Sequence, residues 1–314
     1  MRSSEAGFRI GTGLFGAVLV LIVVGIGYEL WRQSVLSIAK FGLNFWATST
    51  WDPVVGQFGA LPFIWGTLYS SILSLLIAAP IALGIAIFIS ELCPNRLKPS
   101  LVFLTELLAA IPSIVYGLWG IFVLVPAVRA LEVWFPPSLK WIPFFSGPPF
   151  GLGMLSAALI LAVMVIPFTS SVAREVLKSV PVAQREGAYA LGATRFEAIS
   201  AALFYARTGI VGAVLLGFGR ALGETMAVTM VIGNNPRVSL SLFAPQHTMA
   251  AVLANEFSEA AEPLYLNALI EIGLVLFVIT LVVNSLSRLL IWSMARPARA
   301  AAATTVVPAV ESAA

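Results

Sequence analysis

The chain is poor in the residues that carry chemistry. Its 314 residues include one Cys, Cys93, one His, His247, and one Asp, Asp52. A lone Cys excludes an intrachain disulfide and a cysteine metal cluster. A single His and a single Asp, both expected in outer loops, leave an intramembrane zinc or aspartyl protease without its ligands or acids. His247 accordingly reads as a surface residue rather than a metal ligand. No G-x-x-x-x-G-K-[ST] loop occurs, so the chain does not itself hydrolyse ATP. Charge is scarce as well, at 11% of residues with a net +3, and no stripe of basic and aromatic side chains suggests nucleic acid.

What is abundant is apolar surface. Hydrophobic residues make up 59% of the chain and the mean hydropathy is +0.96, both well outside the range of soluble domains. About 20 apolar residues span a bilayer, and six such runs are legible. They are Ile10–Leu30, Phe63–Ser90 with Pro80 inside, Ser100–Val128 with Glu106 and Pro112, Leu152–Ala173, Thr208–Ile232 and Tyr265–Trp292. Ser37-Ile38-Ala39 resembles a signal-peptidase site, but the apolar run before it is too long for a signal peptide's core, so the first helix is expected to be retained. Trp46 and Trp51 suit an interfacial belt. The expected organisation is residues 1–9 as a cytoplasmic N-terminus, 10–293 as an all-α, six-helix membrane domain, and 294–314 as a disordered cytoplasmic tail.

Orientation follows from the basic residues. With the N-terminus inside, twelve fall on inner segments: Arg2, Arg9, Arg96, Lys98, the five of residues 174–207, Arg288, Arg296 and Arg299. Five fall on outer segments: Arg32, Lys40, Arg129, Lys140 and Arg237. The positive-inside bias therefore puts both termini in the cytoplasm.

The inner connection 174–207 carries Arg174, Lys178, Arg185, Arg195 and Arg207, and packs small residues between them. Its centre runs Glu186-Gly187-Ala188-Tyr189-Ala190-Leu191-Gly192-Ala193-Thr194. Small residues admit another backbone closely, and Gly192 suits the positive φ of a helix C-cap. The expected shape is helix, sharp turn, short helix, presented outward. This stretch resembles the cytoplasmic Glu-Ala-Ala loop of ABC importer permeases, with Gly187 in place of the first Ala and Leu203-Phe204 where Leu-Pro is common. An ordinary amphipathic connection is the alternative. The resemblance implies that Glu186, Gly187, Ala188, Leu191, Gly192, Ala193 and Thr194 meet a cytoplasmic ATPase.

Further stretches narrow the resemblance. These are Phe58–Leu68, Ala110–Gly120, Gly219-Arg220-Ala221-Leu222-Gly223-Glu224-Thr225-Met226-Ala227-Val228, Ile232-Gly233-Asn234 and Ser241–Val252. Together they resemble the phosphate-import permeases of the PstC type, over residues 10 to 295. The resemblance implies a type I ABC importer fold in the inner membrane of a bacterium. It also implies a PstA-type second permease, PstB-type ATPase subunits, a PstS-type phosphate-binding protein outside, phosphate as substrate, and no cofactor.

Arg220 and Glu224 are the candidate substrate residues. Counted from Thr208, Arg220 lies roughly 18 Å into its helix, at a depth where an Arg costs about 2.5–3.5 kcal/mol. Two readings stand: an ion pair with Glu224 on the same helical face, or a guanidinium that meets phosphate oxygens with its fork of donors. An ion-coupled secondary transporter of an anion is the rival function, since Glu106, Glu224 and Glu271 sit within the spans. For Glu106 and Glu271 a bond to a neighbouring helix is the preferred reading. The expected topology is directly measurable: reporter fusions after Arg195 should score as cytoplasmic and fusions after Arg237 as extracytoplasmic, and the reverse pattern would overturn the orientation.

Overall fold

The computed structural model describes residues 2–136, 138 and 141–304, and among them regular structure is helical, with only the isolated bridges Asp52–Gln57 and Gly233–Gln246. In chain order the helices are α1 (Arg2–Gln33), α2 (Val35–Phe41), α3 (Asn44–Ala47), α4 (Leu61–Ile87), α5 (Lys98–Ala110), α6 (Ser113–Trp119) and α7 (Val125–Trp134). They continue with α8 (Met154–Lys178), α9 (Val182–Ala190), α10 (Arg195–Leu222), α11 (Met226–Val231), α12 (Met249–Glu256) and α13 (Pro263–Thr304). Among the described residues, six spans are long and apolar enough to cross a membrane: Gly11–Gln33, Leu61–Leu92, Ser113–Trp134, Met154–Lys178, Arg195–Leu222 and Pro263–Met294.

Helix α8 is the axis of the bundle. In lipid there is no hydrophobic force between helices, so association depends on close packing through small residues. Ala157, Ala158 and Ala162 of α8 are buried, as are Ala78, Ala82 and Ala86 of α4, and the two helices pack along their length. Helix α10 lies on α8 as closely: a Cβ at Gly209 would sit 2.5 Å from Val176 Cγ1. By contrast, the first span buries none of its apolar window and packs on α13 and α2 alone among the stronger contacts.

The structure departs from the sequence reading at the third and fifth spans. The third was expected as one helix over 100–128, but it breaks at Ile111, whose ψ is 130°, and at Pro112. Proline lacks an N–H and pushes the preceding residue out of helical geometry. The chain restarts as α6, widens through a π-turn at Gly120–Leu124, and continues as α7. The fifth span starts at Arg195, not Thr208, because Thr194 and Glu197 form a reciprocal capping box. It stops at Leu222 rather than Ile232, and α11 is a separate helix. Arg288, counted among the inner segments, lies within the sixth span. The tail expected to be disordered from 294 is helical to Thr304, through an alanine run of high helix propensity; residues 305–314 lie outside the described residues.

Of the two expected acid contacts, one is found: Glu106 in α5 accepts from Arg174 of α8 at 3.2 Å. Glu271 of α13 and Ser37 of α2 are both buried, but neither Glu271 Oε2 nor Ser37 Oγ has a hydrogen-bond partner. Trp51 does not lie free in a belt: it packs edge-on against Phe58 and Phe63 and donates to Glu256 Oε2 at 2.9 Å.

The segment after α11, expected as an outer loop, is also not a surface loop. The first amides of α8 have no helical partner and need acceptors. Gly153, Met154 and Leu155 N–H groups donate to the carbonyls of Val231, Ala244 and Leu242. Trp65 and Tyr69 of α4 donate to Ser239 and Leu240 carbonyls, and the Met249 amide donates to Thr67 Oγ1. The segment is thereby drawn into the bundle, carrying Phe243, Gln246 and His247 with it. His247, expected at the surface, is 1% exposed and edge-on to Phe63.

Burial disfavours the imidazolium and pushes the His247 pKa down to about 4. Between that value and the ordinary one, the unfolded chain binds the proton and the folded chain does not. The stability from neutral His247 is therefore complete above the unfolded pKa and is lost as pH falls toward the folded one. Going from about pH 7.5 to about pH 5 should cost about 2 kcal/mol from this group. Thermal unfolding of the purified protein should show a smaller acid loss in His247→Gln than in the parent, and equal losses would exclude the account.

Candidate transport and coupling sites

The first site lies at the break of the fifth span. Arg220 occupies the last turn of α10, where the helix dipole favours a cation. It is exposed within this chain, and its guanidinium carbon lies 5.6 Å from the centroid of the Phe168 ring on α8. Tyr116 of α6 is within electrostatic reach of that charge, and its hydroxyl donates to the Leu108 carbonyl across the break of the third span. Two interrupted helices thus meet near one cation.

Glu224 does not lie on the helical face of Arg220. The helix ends two residues after Arg220, and Glu224 follows at Gly223, half-buried, with its own N–H directed at the Ala221 carbonyl. Among the described residues the ion pairs are Arg32–Glu29, Arg174 with Glu106 and Glu175, Lys178–Glu175 and Arg185–Glu91, so none joins Arg220 to Glu224. The same-face pairing assumed that the helix continues. Instead α11 restarts at Met226, with the Thr225 and Thr229 hydroxyls donating to the carbonyls of Gly223 and Thr225. Unwound backbone inside a membrane domain is tolerated where it is buried in protein or lines a cavity, and the break sets both residues beside such backbone.

The second site is the connection between the fourth and fifth spans. Helix α8 ends at Lys178, and Pro181 begins α9 by fixing an extended φ/ψ before Val182. The short helix precedes the turn, reversing the expected order, and the chain then enters the long α10 directly. At the turn Gly192 has φ +83°, its N–H bonds to the Tyr189 carbonyl, and the Ala193 N–H bonds to the Ala188 carbonyl. That is a Schellman termination with glycine at its left-handed position, as the sequence suggested.

Glu186, Gly187, Leu191, Gly192 and Thr194 are exposed, and Ala188 and Ala193 are half-buried. Large apolar side chains stand out around them: Leu191 is 91% exposed and Phe196 80%. A Cβ placed on Gly187 or Gly192 would meet nothing within 4 Å, so this face has open space in front of it. Contiguous exposed apolar residues of this kind mark an interaction surface. Phe168 and Tyr116 near Arg220, and Glu91 beneath α9, were not singled out by sequence. Tyr116 falls within the quoted stretch Ala110–Gly120 but is far from Arg220 in the chain, and Phe168 and Glu91 carry no local pattern.

Comparison with known proteins agrees with this architecture. The family of binding-protein-dependent transport system inner membrane components matches residues 82–296. The phosphate transport system permease protein PstC of Haemophilus influenzae is 47% identical over 296 residues, covering 92% of this chain and 94% of its own. PstC of Mesorhizobium japonicum is 45% identical over 279 residues, covering 87% and 85%. A chain of the methionine ABC transporter MetNI in an inward-facing conformation superposes with a TM-score of 0.51 at 16% identity, covering 72% of this chain and 93% of that one. That likeness speaks for the fold. On these matches the chain belongs to the family of binding-protein-dependent transport system inner membrane components.

Proposed function

We propose that the chain is the permease subunit of an ATP-driven importer of inorganic phosphate and forms half of the translocation pathway. The observation that carries this reading is one intramembrane cation at a helix break, combined with an exposed, glycine-turned helix at the far end of the adjoining span. The relatives named as phosphate transport permeases, matched over most of their length, support the substrate. The chain is not itself the enzyme. A PstB-type ATPase docks on α9, a PstA-type permease completes the pathway, and a PstS-type protein delivers phosphate from outside. Both termini and α9 face the cytoplasm of the bacterial cell, a sidedness supported by the bias of basic residues.

Arg220 meets the anion in passing. Its guanidinium has five donors in a fork that matches phosphate oxygens, and it is not tied up by Glu224. Glu224 lies at the start of the unwound stretch and supplies a nearby negative charge that keeps the site from holding the anion. A site bound too tightly would not release. In cells whose importer has been checked for membrane abundance and ATPase assembly, Arg220→Gln should lower phosphate uptake at least about tenfold, close to 1.4 kcal/mol. Glu224→Gln should also impair uptake. The parental rate in Arg220→Gln would remove Arg220 from the pathway.

The docking face has its own test. Gly187 lies inside α9 with open space around it, so Gly187→Ala should leave uptake intact and stabilise the helix by up to about 1 kcal/mol. Gly187→Leu is equally free within this chain, yet it should abolish uptake by obstructing the ATPase. Gly192→Leu adds backbone strain of about 1–3 kcal/mol at its positive φ. Normal transport with Leu at both positions would make the connection a passive link.

A further inference from the structure

Three spans converge beneath α9, and one residue, Glu91, joins them through its carboxylate and its backbone carbonyl. The second span ends in a π-turn, Phe88–Leu92, rather than in a regular helical turn. Such turns concentrate at functional positions and redirect the side chains they carry. Here the turn aims Glu91 at the connection between the fourth and fifth spans. Glu91 Oε1 accepts from Arg185 Nη2 at 2.7 Å, 94 residues away in sequence. The same nitrogen donates to the Leu177 carbonyl at 3.0 Å, and Nη1 donates to the Val180 carbonyl at 3.2 Å. Arg185 thus stands on the docking helix with one hand on the end of α8 and the other on the second span. The backbone of the π-turn is held from the same side: Arg195, at the start of α10, donates to the Glu91 carbonyl at 2.7 Å, and Lys98 donates to the Ser90 carbonyl at 3.0 Å.

This pair differs from the chain's surface ion pairs. The Glu91 and Arg185 side chains are 12% and 23% exposed, whereas those of Arg32 and Glu29 are 63% and 45% exposed. Water screens it less, and removing the carboxylate leaves the guanidinium with backbone carbonyls only. Without the pair, α9 keeps the short linker Ser179–Pro181 and the Arg185 bonds to the end of α8, but loses its side-chain tie to the second span.

We propose that Glu91 is a positioning residue for energy coupling. It latches the docking helix to the second span, so that displacement of α9 moves the cytoplasmic ends of the second and fourth spans together. This rests on the docking role given to α9 above. The force enters at the exposed face around Gly187 and Leu191, passes through the Arg185 guanidinium, and reaches α4 through the Glu91 carboxylate.

The test uses the assembled importer in proteoliposomes, measuring phosphate imported per ATP hydrolysed. Glu91→Ala should keep hydrolysis while that ratio falls at least about fivefold, and Glu91→Gln, which keeps an acceptor oxygen, should restore at least about half of it. A purely structural role would lower abundance and hydrolysis together and leave the ratio unchanged. The parental ratio in Glu91→Ala overturns the latch. Should Glu91→Ala fail to assemble, Glu91→Gln decides: any ratio below the parental one supports the latch, and the parental ratio overturns it. Gly187→Leu separates this proposal from the one beneath it. If Gly187→Leu abolishes ATPase docking while Glu91→Ala keeps the parental ratio, only the latch is lost. If Gly187→Leu docks and transports normally, the docking role of α9 has failed independently of Glu91.

Discussion

Every backbone N–H and C=O placed in lipid has to find a partner within the protein, and the ends of α8 show what that demands here. Its first amides, those of Met154 and Leu155, are met by carbonyls of the segment after α11, roughly ninety residues further along the chain. Near its end the Leu177 carbonyl, and the Val180 carbonyl of the short linker, are met by Arg185. The central helix is therefore held at its first turn by one connection and at its last turn by another. Those two connections are also where the segment after α11 is buried and where α9 is mounted. Satisfying one helix fixes the geometry of both faces of the membrane domain.

The same constraint explains the interrupted spans. A proline at 112 and the Gly223–Thr225 stretch leave backbone groups without helical partners. The structure offsets them locally, through the Tyr116 hydroxyl on the Leu108 carbonyl and the Thr225 and Thr229 hydroxyls on carbonyls near their own turn. The breaks concentrate polar backbone and a cation in one region of an otherwise apolar bundle. A permeating anion needs such a place, because neither lipid nor a continuous helix offers it donors. Helix α9 is different: apolar side chains stay exposed around it, and bonds from Arg185 at its base hold it to α8 and the second span.

Close packing supplies the stiffness that a coupling device requires. Helices α4, α8 and α10 meet through alanine, serine and glycine, so their backbones approach closely and leave little slack to absorb motion. The first span has no such surface and stays at the periphery, attached to α13 and α2.

The membrane class, the number of spans and the left-handed turn at Gly192 were determined by the sequence alone, because apolar runs, charge scarcity and glycine stereochemistry are local properties. The exposed character of the stretch from Glu186 to Thr194 was legible for the same reason. The tertiary structure decided the rest. Arg220 and Glu224 sit four apart and suggest a shared helical face, but only the folded chain shows that α10 stops between them. His247 looks like a loop residue until the unpaired amides of α8 pull its segment inward. Glu91 and Arg185 are separated by 94 residues, and no periodicity links them. They meet because two helix C-terminal ends with unsatisfied carbonyls pack beside the start of a third helix, and a pairing set by three-dimensional proximity leaves no local pattern in the chain.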